Sequence, residues 1–275
     1  MNILETLVSG MFFEDLWGKK AVLLKQCESF FQGKIDVLEI VRNNTIYYPE
    51  LRFFGNNGSE SPLLYTESNR HHLSERISAT KFLDVVNMTG TIKIKSAERY
   101  DKKLNELKKY FENFFPESMV SMNLYASKGP CYGATPHYDS YHIFAVQLDG
   151  SKTWNLGKII TYNPHEDFIY KGTIENNFTD SLVTHPGDIL YIPPGLFHQV
   201  YTQEHSAHVT VGIHTKRIYQ HIHEAVLKAA SKYKELRSDI PMTISRSGAR
   251  YDNINDSILD AVLKIISIEA SYHDK

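Results

Sequence analysis

The chain has 275 residues, 42% of them hydrophobic and 23% charged, which suits one large globular domain, or a domain with a small appendage, and provides enough apolar material for a substantial core. Thirty basic residues against 32 acidic ones leave a formal charge of −2, so no bulk field draws the chain to nucleic acid or to an anionic membrane. No apolar run approaches a membrane span, the first twenty residues lack a basic stretch and a cleavage site, and Cys27 and Cys131 form no paired spacing; two reduced thiols in a cytoplasmic protein are the expectation.

Residues 1 to about 115 mix helical patterns with short strands. Phe12, Phe13, Leu16 and Trp17 recur at helical spacing, and Ala21 to Lys25 read as a short buried strand. Asn56 to Ser59 read as a loop. Residues 97–115 predict a strong amphipathic helix: Leu104, Leu107, Tyr110, Phe111 and Phe114 share one face, lysines take the other, and Pro116 ends it. Residues 119–216 change character. Short β-prone runs, such as those over 119–127, 142–150 and 208–215, alternate with Gly, Pro, Asn and Asp turns, the mark of an antiparallel sandwich or barrel. Residues 217–275 return to helix, with one apolar stripe of Ile218, Ile222, Ala225, Val226 and Ala229 and another of Ile258, Leu259, Val262, Ile265 and Ile266. The polar stretch 245–250 reads as the loop between them.

Within the β-rich zone, His137-Tyr138-Asp139 places an imidazole and a carboxylate two residues apart, which on a strand turns both to one face. His198 follows Gly187-Asp188-Ile189-Leu190-Tyr191-Ile192-Pro193-Pro194-Gly195, a turn, a strand and a rigid bend that fixes where the ring points. Two histidines and one carboxylate make the facial triad of non-haem iron(II) oxygenases. The chemistry needs that set, because three ligands on one side leave room for a bidentate 2-oxo acid and for dioxygen. A closed four-ligand site would leave none.

HYDSYHIFAVQLDGSKTWNL (137–156) together with GDILYIPPGLFHQV (187–200) resembles the JmjC-type cupin oxygenases, and the cupin-4 or ribosomal-oxygenase-like subgroup in particular. FFEDLWGKKAVLLK (12–25) resembles the first helix and strand of that subgroup, so the likeness covers most of residues 12–216. The resemblance implies a mainly β fold with flanking helices: a double-stranded β-helix over residues 1–216, followed by a helical segment over 217–275 that has room for a dimerisation unit but not for a winged helix as well. It implies iron(II) on His137, Asp139 and His198, with 2-oxoglutarate and dioxygen as co-substrates. Lys152, fifteen residues after His137, matches the family's basic partner of the distal 2-oxoglutarate carboxylate, and Tyr125 matches a tyrosine reaching the same group.

Two positions depart from the family pattern. A small hydroxyl residue is usual where Gly212 stands, so Thr210, two residues earlier on the same face, is the expected substitute; His208 and His214 share that face. An acid is common where His142 stands, and its expected place is the strand edge, with the pocket wall as alternative. The activity implied is hydroxylation of an amino-acid side chain in a protein or peptide, with the chain as a homodimer through its C-terminal helices. Hydroxylation of a small metabolite, natural product or modified nucleoside is one alternative. A metal cupin that is not an oxygenase is another.

Overall fold

The computed structural model describes residues 12–25, 27, 35–56, 58–60, 62–67, 75–165, 177–237, 239, 242–245, 248–251, 259, 262–264 and 267. The chain divides into two compact units, Met1–Thr215 and Lys216–Lys275. Among the described residues, the first unit contains strands β1 (Val22–Leu24), β2 (Leu51–Gly55), β3 (Thr66–Glu67), β4 (Arg76–Ile77), β5 (Gly90–Lys95), β6 (Met119–Lys128) and β7 (Cys131–Tyr132). It continues with β8 (His142–Gly150), β9 (Lys152–Ile159), β10 (Asp180–Thr184), β11 (Ile189–Ile192), β12 (Leu196–Thr202) and β13 (His205–His214). Its helices are α1 (Val37–Asn43), α2 (Ala79–Val86) and α3 (Lys102–Phe114).

Two antiparallel sheets form the barrel. The larger has seven strands in the order β1-β11-β8-β13-β6-β5-β2, and the smaller has four in the order β10-β9-β12-β7. Strand alternation divides the side chains between two cores. Along β8, Ile143 and Ala145 point between the sheets and pack with Leu190, Trp154 and Leu156. Phe144 and Val146 point the other way, into a layer with Phe12, Leu104, Leu107 and Phe111. A strand buried on both faces has no polar alternation, which explains the unbroken apolar run of residues 143–146. In β13, Val209, Val211 and Ile213 join the outer layer, while His208 and Thr210 line the interior.

Local chemistry sets the element ends. Asp101 caps α3 by accepting from the backbone N–H of Leu104 at 3.0 Å, so the helix expected from residue 97 starts later; Ala97–Arg99 form a separate 3-10 turn. Phe12–Leu16 is a single π-helical turn rather than the amphipathic α-helix its spacing predicts. It seats Trp17 against His142, rings 3.7 Å apart. β1 exists as expected, as a half-buried edge paired to β11. β2 and β5, which the sequence hides within its mixed first zone, extend the large sheet beyond β6.

The second unit contains α4 (Ile218–Lys232) and a hairpin of β14 (Met242–Ser245) with β15 (Gly248–Tyr251). Of the stretch 245–250, expected as a loop, Ser245 and residues 248–250 belong to paired strands, and residues 246 and 247 lie outside the described residues. Of the second apolar stripe, Ile258, Ile265 and Ile266 lie outside the described residues. No helix among the described residues is long and apolar enough to cross a membrane.

Candidate metal centre and adjoining cavity

His137 and His198 pair backbone to backbone in an isolated antiparallel bridge: each N–H donates to the other's carbonyl, at 3.0 and 2.8 Å. The His-x-Asp motif is thus held by a bridge to β12 and not by a regular strand, correcting the strand expected there. The turn after β11 supplies a second clamp, since the Gly195 N–H donates to the Asp139 carbonyl at 2.9 Å. Gly195 sits at φ +78°, and a Cβ there would lie 1.9 Å from the Thr161 carbonyl oxygen. Only glycine meets both demands.

These clamps bring one donor atom from each of His137, Asp139 and His198 within 4.8 Å of one another. The Asp139 Oδ2 stands 3.8 Å from His137 Nε2 and 3.6 Å from His198 Nε2, too far for hydrogen bonds. Each imidazole is oriented from behind: His137 Nδ1 donates to the Thr135 carbonyl at 2.8 Å, and His198 Nδ1 to the Leu196 carbonyl at 2.9 Å. With the proton on Nδ1, each Nε2 turns a lone pair toward the carboxylate. Burial, then the neighbouring His137, lower the His198 pKa to about 4, while Asp139 opposes them, so its imidazole is neutral at pH 7. Two lone pairs and an anion facing one point fit a divalent cation and little else. The donor set is that of a non-haem iron(II) site.

Behind the three residues lies a cavity of about 200 Å³, and Lys152 closes its inner part. Lys152 is the first residue of β9 and is 1% exposed. Its Nζ donates to Ser127 Oγ at 2.8 Å, and among the described residues it has no ion pair. Burial lowers its pKa to about 7. Ser127 is itself bonded to Thr91 Oγ1 at 2.9 Å. Trp154 forms a wall, held by a relay in which its Nε1 donates to Thr184 Oγ1 and that hydroxyl donates to Gln147 Oε1, at 3.1 and 3.0 Å.

Tyr125 and Thr210 line the same cavity. Gly212 does not, and the reason is steric: a Cβ there would meet Ser121 Oγ at 2.6 Å and the Tyr141 ring at 2.8 Å. His214 is turned to Ser121 Oγ, 2.8 Å away. His142 is the first residue of β8 and does not line the cavity. It lies on the outer face of β8, buried, its ring stacked on Trp17 and its Nδ1 2.8 Å from the Tyr191 hydroxyl. Sequence reasoning gave no role to His208, Trp154, Lys93 or Phe54, which also line the cavity. Alternation in β13 puts His208 on the inward face, but its neighbours follow from cross-strand register, in which His208 stands opposite Tyr125.

The family model described as a JmjC domain matches residues 93–221. Over 257 residues the chain is 26% identical to a protein of Aedes aegypti named bifunctional lysine-specific demethylase and histidyl-hydroxylase NO66, covering 85% of this chain and 38% of that one. It is 24% identical over 264 residues to ribosomal oxygenase 2 of Mus musculus, covering 87% of this chain and 54% of the relative. The chain thus spans about half the length, or less, of these curated relatives. Among solved structures, YcfD of Escherichia coli, described as a ribosomal oxygenase in complex with cobalt and 2-oxoglutarate, aligns at TM-score 0.59 and 18% identity over 94% of this chain and 65% of that one. That likeness establishes a shared cupin-type fold.

Proposed function

We propose, from the premise that residues 93–221 belong to the JmjC domain family, that the chain is an iron(II)- and 2-oxoglutarate-dependent oxygenase that hydroxylates a side chain of a protein. One juxtaposition carries the reading. Three ligand-type side chains converge on a cavity that is also lined by Lys152, a buried amine with no ion pair among the described residues. The activities for which the mosquito and mouse relatives are named, and the cobalt and 2-oxoglutarate bound by YcfD, support it.

In this reading His137, Asp139 and His198 hold iron(II). When bound, the metal with 2-oxoglutarate and dioxygen supplies the oxidation that inserts hydroxyl into a C–H bond, releasing succinate and carbon dioxide. The chain's residues do the positioning. Lys152 gives a charge-assisted hydrogen bond to the distal carboxylate, with Tyr125 and Thr210 beside it. Trp154, Ile143 and Val200 keep water from the enclosed co-substrate.

The cavity's size favours a protein substrate over a small metabolite. About 200 Å³ suffices for the co-substrate but lies below the range of sites that engulf a second small molecule. The His137 side chain is 42% exposed, so the metal ligands are open to a side chain presented from outside. Lining charges favour hydroxylation over lysine demethylation. Among the described residues, Lys93 and Lys152 line the cavity and its one acid, Asp139, is a metal ligand, so a methylated ammonium would enter without a counter-charge.

The second unit supports a homodimer. Ile218, Tyr219, Ile222 and Leu227 of α4 are 82, 50, 48 and 58% exposed, an apolar surface that a second copy would cover. The free thiols of Cys27 and Cys131 support a reducing compartment such as the cytoplasm.

The test begins with anaerobic protein, iron(II) and 2-oxoglutarate, which should develop a visible charge-transfer band that Lys152→Met removes. Candidate protein substrates should then gain one oxygen atom by mass spectrometry, with matched succinate formation. A band absent from the parent protein, or equal in Lys152→Met, would overturn the co-substrate assignment.

A further inference from the structure

His208 is 3% exposed and lines the cavity beside Lys152. Its ring lies flat on Tyr125, centroids 4.8 Å apart and planes within 2°, and meets Trp154 edge-on at 5.3 Å. Held on both sides, the imidazole cannot turn away to find another partner. Its Nδ1 is buried with no hydrogen-bond partner among the described residues. Folded proteins pair nearly all such atoms, and an apolar ring of the same shape would fill this position without leaving an orphan. The orphaned polar group therefore marks a contact that a ligand completes. Burial, and after it the field of Lys152, hold the His208 pKa well below its ordinary value. The ring is neutral, with one N–H to donate.

We propose that His208 is a further donor to the distal carboxylate of the dicarboxylate co-substrate, acting beside Lys152; this rests on the oxygenase reading above. A carboxylate offers about four acceptor sites, so Lys152, already shared with Ser127, and the hydroxyls of Tyr125 and Thr210 leave room for a further donor. The two groups differ in what they provide. Lys152 brings charge on a flexible stem, whereas His208 brings a direction fixed by its stack on Tyr125. Gly212, where the family pattern has a hydroxyl, cannot supply this contact, and His208 lies on the same inward face of β13.

The experiment compares two ligands on the full chain loaded with manganese(II) in place of iron. 2-Oxoglutarate has a chelating end and a distal carboxylate; oxalate has a chelating end and no distal arm. Calorimetric titration of His208→Phe, which keeps the stack and removes the N–H, should weaken 2-oxoglutarate binding about tenfold, the loss of one good hydrogen bond, and leave oxalate unchanged. His208→Asn restores an N–H and should recover part of that loss. Melting temperatures of the same samples establish that each variant is folded, and His208→Leu, which also lacks a donor, takes the place of the phenylalanine variant should that one not fold. If 2-oxoglutarate binding is unchanged in the variants, or if both ligands weaken equally, the role of His208 is structural and the proposal fails. A parent protein that binds oxalate but not 2-oxoglutarate would overturn the co-substrate reading itself, and this inference with it.

Discussion

The Nζ of Lys152 donates to the Oγ of Ser127 at 2.8 Å, across the barrel from β9 to β6, and no carboxylate stands near it among the described residues. An amine buried in this way costs folding free energy. Lys152→Met removes that cost and keeps the aliphatic volume. The variant should be more stable than the parent by about 1 to 4 kcal/mol in urea denaturation, while losing 2-oxoglutarate affinity by roughly a hundredfold. A gain in stability combined with a loss of binding separates a ligand-binding residue from a structural one.

The same burial sets a pH dependence. The Lys152 pKa falls from 10.5 to about 7 on folding. Between those values the unfolded chain carries the extra proton, so this residue's contribution to stability rises as pH increases from 7 toward 10.5. Binding runs the other way. The dicarboxylate needs the charged amine, so its affinity should fall as pH rises above 7, and binding at pH 8 should take up a proton. Calorimetry in two buffers of different ionisation enthalpy measures that uptake directly; identical heats in both would contradict it.

The metal ligands differ in burial, and their variants should differ accordingly. His198 is 3% exposed, whereas the His137 side chain is 42% exposed. Each alanine variant should abolish the rise in melting temperature that iron(II) or manganese(II) gives the parent, a stabilisation of about 2.7 kcal/mol at a hundredfold excess over Kd. Without metal, His137→Ala should melt close to the parent, and His198→Ala should melt lower because it leaves a cavity.

Gly195 links fold to site. Its positive φ and the crowding by Thr161 predict that Gly195→Ala destabilises the protein by about 1 to 3 kcal/mol or more. The Gly195 N–H also holds the Asp139 carbonyl, so metal affinity should fall with stability. A variant that binds metal as tightly as the parent would show that the Gly195 clamp is dispensable for placing Asp139.

The ligand-type residues were legible in the sequence because their positions are set by short-range rules. A two-residue spacing and a Pro-Pro-Gly bend suffice to nominate His137, Asp139 and His198, and the structure brings these three together. Lys152, Tyr125 and Thr210 were nominated by resemblance, and all three line the cavity. What escaped were properties of register between distant strands. Lys93 reaches the cavity only because β5 pairs with β6, placing it opposite Tyr125. The pocket wall was the alternative place for His142, but strand alternation sends it to the outer layer against Trp17. The π-helical turn at Phe12 follows the same logic, since it is fixed by contacts with Phe144 and Tyr191 that no local spacing encodes.

Strand β13 turns this alternation into a genetic expectation. Val209, Val211 and Ile213 sit fully buried in the outer layer, while His208 and Thr210 face the cavity. A saturation screen along the strand should therefore oscillate with a period of two. Polar replacements at odd-numbered positions would lower abundance in the cell; shape-preserving replacements at 208 and 210 would leave abundance intact and lower turnover. Selection would experience one stretch of backbone as two interleaved genes, one for persistence and one for chemistry.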